Sequence, residues 1–142
     1  MDEKYDDVDW HWGDNWPQDT PLDNAYVHLA ALMYWAILRN RLDAAMHMDD
    51  PNDLKCINDV LSRKTTPLTF VVECCDGSLV RDDFTDETND FLSEYYDDYL
   101  DDFVALFGRD DYGVPDEWST YDRVVPMLDE RYEQWEKGET LP

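Results

Sequence analysis

Residues 86–107 constrain this chain more than any other segment. Leu92, Tyr95, Tyr96, Tyr99, Phe103, Leu106 and Phe107 recur at three- and four-residue intervals, the period of a helix with one buried side. Thr85 offers an N-cap oxygen, and Gly108 follows the last turn as the residue that enters a left-handed C-cap without strain. The spacing therefore predicts a long helix from Asp86 to Phe107. Its remaining face is occupied by Glu87, Asp90, Glu94, Asp97, Asp98, Asp101 and Asp102, and the segment contains no Lys or Arg to pair them. Like charges at i and i+4 each cost a few tenths of a kcal/mol, on the order of 0.2–0.5. Glu94 with Asp98, Asp97 with Asp101, and Asp98 with Asp102 repeat that cost, whereas a surface that is merely solvated usually mixes its signs.

The imbalance extends to the whole chain, where 35 Asp and Glu face 11 Lys and Arg and leave a formal net charge of −24. Direct binding to nucleic acid or to anionic lipid needs clustered cations, so both are excluded as primary partners. A basic protein is the natural complement, and a solvated surface serving colloidal stability is the bland alternative. The charge does not imply disorder, because 43% of the 142 residues are apolar and 14% aromatic, enough for one packed domain.

Local signals set the other helices. Thr20, Pro21 and Asp23 form a helix start, and Ala25, Leu29, Leu32, Met33, Ala36 and Ile37 predict one buried stripe behind it. Asp50 before Pro51, with Leu54, Ile57 and Leu61 at helical spacing, predicts a second, shorter helix. Residues 66–75 mix a Thr66–Pro67 helix start with the strand-favouring run from Thr69 to Val72; they are read as helix, ended by Asp76 and Gly77. A last helix is expected from about Ser119, with Asp122 as the acidic member of a capping box, to Gly138; Pro126 is expected to kink or restart it. Residues 1–19, in which Tyr5, Trp10, Trp12 and Trp16 alternate with Asp6, Asp7, Asp9 and Asp14, are read as an irregular aromatic arm packed on the helices. The expectation is an all-α, single-domain bundle of about five helices spanning residues 20–138.

Chemistry is sparse. His11, His28 and His47 do not share a helical face, and Cys56, Cys74 and Cys75 lack metal-ligand spacing, so reduced core thiols are expected. His11 among its aspartates would hold a cation if the arm folds back on itself, but a histidine hydrogen-bonded beneath the tryptophans is the preferred reading. No glycine-rich phosphate loop or nucleophile turn is present. The chain is therefore read as non-enzymatic, without cofactor or metal. Its first residues lack a basic, apolar secretory pattern and its longest apolar run, Leu29 to Leu38, is too short to span a bilayer, so a cytoplasmic protein without a membrane partner is expected.

The segments KYDDVDWHWGDNWPQDTPLDNAYVH, VVECCDGSLVRDDFTDETNDFLSEYYDDYLDDF and TYDRVVPMLDERYEQW together resemble an uncharacterised family of small acidic bacterial proteins. The matching positions are Lys4 to Asp7, Trp10, His11, Cys75 to Gly77, Tyr95, Tyr96, Tyr121, Asp122, Arg131, Tyr132 and Trp135; the extra acidity and Cys74 depart from the pattern. That family looks like the single-domain antidotes of bacterial toxins. The resemblance, the unpaired acids and the absence of catalytic motifs lead to one expectation: an immunity protein that occludes a basic toxin. Its contacts are expected at Glu94, Asp97, Asp98, Asp101 and Asp102, with Tyr112 and Trp118 as aromatic anchors. The rival is a nucleic-acid mimic whose carboxylates imitate phosphates in the groove of a DNA-binding enzyme.

Overall fold

The computed structural model describes residues 4–7, 22–75, 77–108 and 114–138. At the centre stands α1, Val27–Leu38, whose sequence VHLAALMYWAIL carries no acid or Lys/Arg. Every residue from Val27 to Ile37 is buried, so the expected single stripe is instead a helix covered on all sides. A 3-10 turn, Leu22–Tyr26, leads into it, and the expected start at Thr20 and Pro21 lies outside the described residues.

Four further helices surround α1. Helix α2, Pro51–Leu61, begins where Asp50 accepts from the amides of Asn52 at 2.8 Å and Asp53 at 3.3 Å. Helix α3, Pro67–Cys74, resolves the ambiguous segment in favour of helix: Pro67 presets the first turn, and Phe70 and Val71 pack into the core. The Gly77 amide then donates back to the Val71 carbonyl at 3.0 Å, with Gly77 at φ 72°. Helix α4, Asp86–Phe107, has the predicted ends, Thr85 accepting from the Thr88 amide at 3.3 Å and Gly108 at φ 66°. Helix α5, Trp118–Glu136, runs through Pro126 without interruption. Pro126 and Asp122 are both exposed, which places the carbonyl deprived of its helix donor on the solvent side of α5. The expected capping box is absent. Glu117 is the N-cap with no side-chain bond, and Asp122 pairs with Arg63 at 2.7 Å instead.

The aromatic interior ties α1, α4 and α5 together. Trp35 lies 5.8 Å from both Phe91 and Tyr132, and Phe91 lies 5.1 Å from Tyr132, measured between ring centroids. One correction concerns the N-terminal segment. Lys4–Asp7 forms a strand, β1, that pairs antiparallel with β2, Ser78–Val80, with a bulge between Lys4 and Asp6. Tyr5 from this strand stacks on Tyr96, with centroids 5.9 Å apart, so the pairing carries the ring onto α4. The rest of the arm, including Trp10, His11, Trp12 and Trp16, lies outside the described residues. The molecule is a helical bundle with this one small strand pair among its described residues, and no described helix is long and apolar enough to cross a membrane.

Candidate functional site

The acidic side of α4 divides into two flanks. On the flank toward α5, the acids are hydrogen-bonded: Glu87 accepts from the Tyr132 hydroxyl at 2.5 Å and Glu94 from the Trp135 indole N–H. Asp102 accepts from the Tyr95 hydroxyl at 2.6 Å and from Arg131 Nε at 3.0 Å. Burial and the Glu87 carboxylate push the Tyr132 hydroxyl up to about 12, which keeps it a donor at any ordinary pH. Two of the five expected contact acids, Glu94 and Asp102, are thus engaged within the molecule, where they fasten α5.

Asp97 and Asp101, on the other flank, and Asp98, which lies one turn from both Glu94 and Asp102, differ. Asp97 and Asp101 are exposed, Asp98 is half-buried, and none of the three meets a Lys or Arg among the described residues. Asp90, Asp97 and Asp101, with Glu94 between them, follow the i, i+4, i+7 and i+11 positions of one stripe, which at about 1.5 Å rise per residue is roughly 16 Å long. The helix beneath it is rigidly held, since Tyr95, Tyr99 and Phe103 are fully buried and the Tyr99 hydroxyl donates to the His28 carbonyl at 2.6 Å.

Trp118 is half-buried. Its ring packs edge-on against Tyr34 at 5.3 Å and Tyr121 at 6.0 Å, and the Arg63 guanidinium lies over it at 4.3 Å. It therefore joins α5 to α1 within the molecule. Tyr112 lies outside the described residues.

Two buried polar clusters were not legible in the sequence. In one, Asp6 accepts from the Tyr96 hydroxyl at 2.5 Å, from His28 Nε2 at 3.0 Å and from the Asp7 amide at 2.8 Å. This bond set fixes β1 to α1 and α4 and explains why an aspartate tolerates 2% exposure. In the other, His47, fully buried in the π-type turn Ala44–Met48, directs Nδ1 at Asp53 (2.8 Å) and Nε2 at Asp83 (2.9 Å). Burial opposes its charge, but the hydrogen bonds it donates to Asp83 and Asp53 outweigh that and raise its pKa. The second oxygen of Asp83 accepts from the Val80 amide at 3.0 Å. The Cys75 sulfur completes the group: one ligand-type atom each from His47, Cys75 and Asp83 lies within 4.8 Å of the other two. Cys56 and Cys74 adjoin the same region near Asp53, where burial and these neighbours raise the Cys74 thiol. None of the three cysteines is in a disulfide.

The sequence around His47 carries no ligand spacing, because such spacing is written within one helix. The histidine's partners Cys75 and Asp83 lie 28 and 36 residues further on, beyond any local pattern. The only local hint is Asp53, one and a half helical turns ahead across the Asp50–Pro51 start. No curated protein and no solved structure matches the chain. A family model does match residues 4–114, from β1 through α4 to the approach to α5, and on that match the chain belongs to the family described as Domain of unknown function (DUF7832).

Proposed function

We propose that the chain is a non-enzymatic acidic binding protein that occludes a basic protein, and that the partner is a cognate toxin against which it acts as an immunity protein. The observation that carries the reading is the set of acids on α4 that α5 does not reach. Among the described residues, Asp97, Asp98 and Asp101 have no cation to balance them, although neighbouring acids on the same helix have found partners in α5. A fold that uses acids so readily for internal bonding leaves these three in mutual repulsion, and a basic partner would relieve it. Long-range attraction would raise the association rate, and the rigid helix would present the charges without an ordering cost.

The test is a triple variant, Asp97→Asn, Asp98→Asn and Asp101→Asn, assayed by surface plasmon resonance against the product of the adjacent gene and by co-expression for rescue from toxicity. Association should slow at low salt, and the difference should fade as the Debye length falls from about 10 Å at 0.1 M to about 3 Å at 1 M. Unchanged binding and protection at low salt would remove this face from the function. Displacement of the partner by duplex DNA would shift the reading to a nucleic-acid mimic.

A further inference from the structure

We propose that His47, Cys75 and Asp83 form a binding site for a thiophilic divalent cation of the zinc type. The donors come from three separate elements, the Ala44–Met48 turn, the C-cap of α3 and the Arg81–Asp83 turn, and they converge to within 4.8 Å. Zinc bonds of about 2.0–2.3 Å place tetrahedral ligand atoms roughly 3.3–3.8 Å apart. His47 Nε2 and the Asp83 oxygen, 2.9 Å apart while they share a proton, have to part slightly to admit an ion, and the Cys75 sulfur, within 4.8 Å of both, completes the set. Their burial, 0% for His47, 8% for Cys75 and 1% for Asp83, separates the group from the surface acids that attract any cation loosely.

Each donor is also oriented. Asp53 holds His47 Nδ1 at 2.8 Å, the carboxylate–histidine support that metal-bound imidazoles use, and this directs Nε2 inward. The Val80 amide takes one oxygen of Asp83 at 3.0 Å, which turns the other toward His47 and Cys75. A thiolate and a carboxylate balance a doubly charged ion. On binding, the ion replaces the proton between Nε2 and Asp83 and the thiol proton of Cys75, and both protons leave to solvent. The mixed S, N, O set suits zinc, whereas magnesium and calcium take oxygen ligands. Cys75 and Asp83 line a cavity of about 290 Å³ with Lys4, Asp7 and Ser78, which has room for a water as the fourth ligand.

The experiment uses the full chain, freed of metal by chelator, loaded with one equivalent of zinc and measured by X-ray absorption at the zinc edge. One sulfur at about 2.3 Å, with nitrogen or oxygen in the remaining positions, is expected. The Cys56→Ser, Cys74→Ser double variant should keep that sulfur, and Cys75→Ser should lose it. Asp53→Asn should keep the sulfur while weakening affinity about 10–100-fold. Oxygen-only coordination of the parent chain would assign the zinc to surface acids and overturn the proposal without any variant. A sulfur that disappears from the double variant and persists in Cys75→Ser would also overturn it.

Discussion

The two flanks of α4 are built from the same residue types on the same helix, yet they do different work. Toward α5, Glu87, Glu94 and Asp102 each receive a donor from Tyr132, Trp135 or Arg131, and their charge is part of the packing. Asp97 and Asp101, on the other flank, and Asp98, one turn from both Glu94 and Asp102, receive no cation from the described residues. Acidity alone therefore does not mark a binding face. What distinguishes the two sets of acids is whether a neighbouring helix brings a donor within reach. On the reading proposed above, a basic partner would supply to Asp97, Asp98 and Asp101 what α5 supplies to Glu87, Glu94 and Asp102.

The largest effect should come from the ring that joins the flanks' common support. Phe91 is fully buried and stacks on Tyr95 at 5.0 Å while meeting Tyr132 at 5.1 Å, so Phe91→Ala should cost about 3–5 kcal/mol in chemical denaturation. A loss below 1 kcal/mol would mean that α5 is not held through this ring. Next, Asp102→Ala removes the acceptor shared by Tyr95 and Arg131, both partly shielded from water, and should cost about 1–3 kcal/mol. If Asp102→Ala is neutral, the division of the helix into two flanks fails.

A smaller effect tests the same docking of α5 through pH. Asp129 accepts from Arg39 at 2.7 Å and from the Trp35 indole at 2.9 Å, and the Arg39 bond, opposed by burial and aided by Trp35, holds its carboxyl below the usual value of 3.8. A depressed folded pKa gives stabilisation that is present above the unfolded value and lost as pH falls through the folded one. The melting temperature of Asp129→Asn should therefore lie below that of the parent at pH 6, and the gap should close as pH drops beneath about 3.8, the ordinary carboxylate value. A gap that stays constant down to pH 2 would attribute the loss to packing. Smallest of all, the triple neutralisation of Asp97, Asp98 and Asp101 should change stability by no more than about 0.5 kcal/mol, with relief of the Asp97–Asp101 repulsion favouring a gain. Destabilisation comparable with Asp102→Ala would show that the outer flank is structural too.

The sequence by itself determined where α2, α3 and α4 begin and where α3 and α4 end. Asp50 before Pro51, Thr85, Gly77 and Gly108 act on backbone groups no more than a few residues away, so their effect is written in consecutive letters. It also determined the buried side of α4 through its three-to-four residue period. Other features were settled only by tertiary structure. The β1–β2 pair joins residues more than 70 positions apart, and the signals in Lys4–Asp7 are too short to announce a strand without its partner. α1 has no polar face, and only the helices placed around it show that it lies at the centre. Trp118 became a packing residue because Tyr34 and Arg63 meet it, and His47 acquired Asp83 and Cys75 because two distant turns close on it. The division follows from range: caps and periods are decided within about a turn of helix, while the partner of a charged or aromatic side chain is decided by which distant segment the fold brings within hydrogen-bond reach.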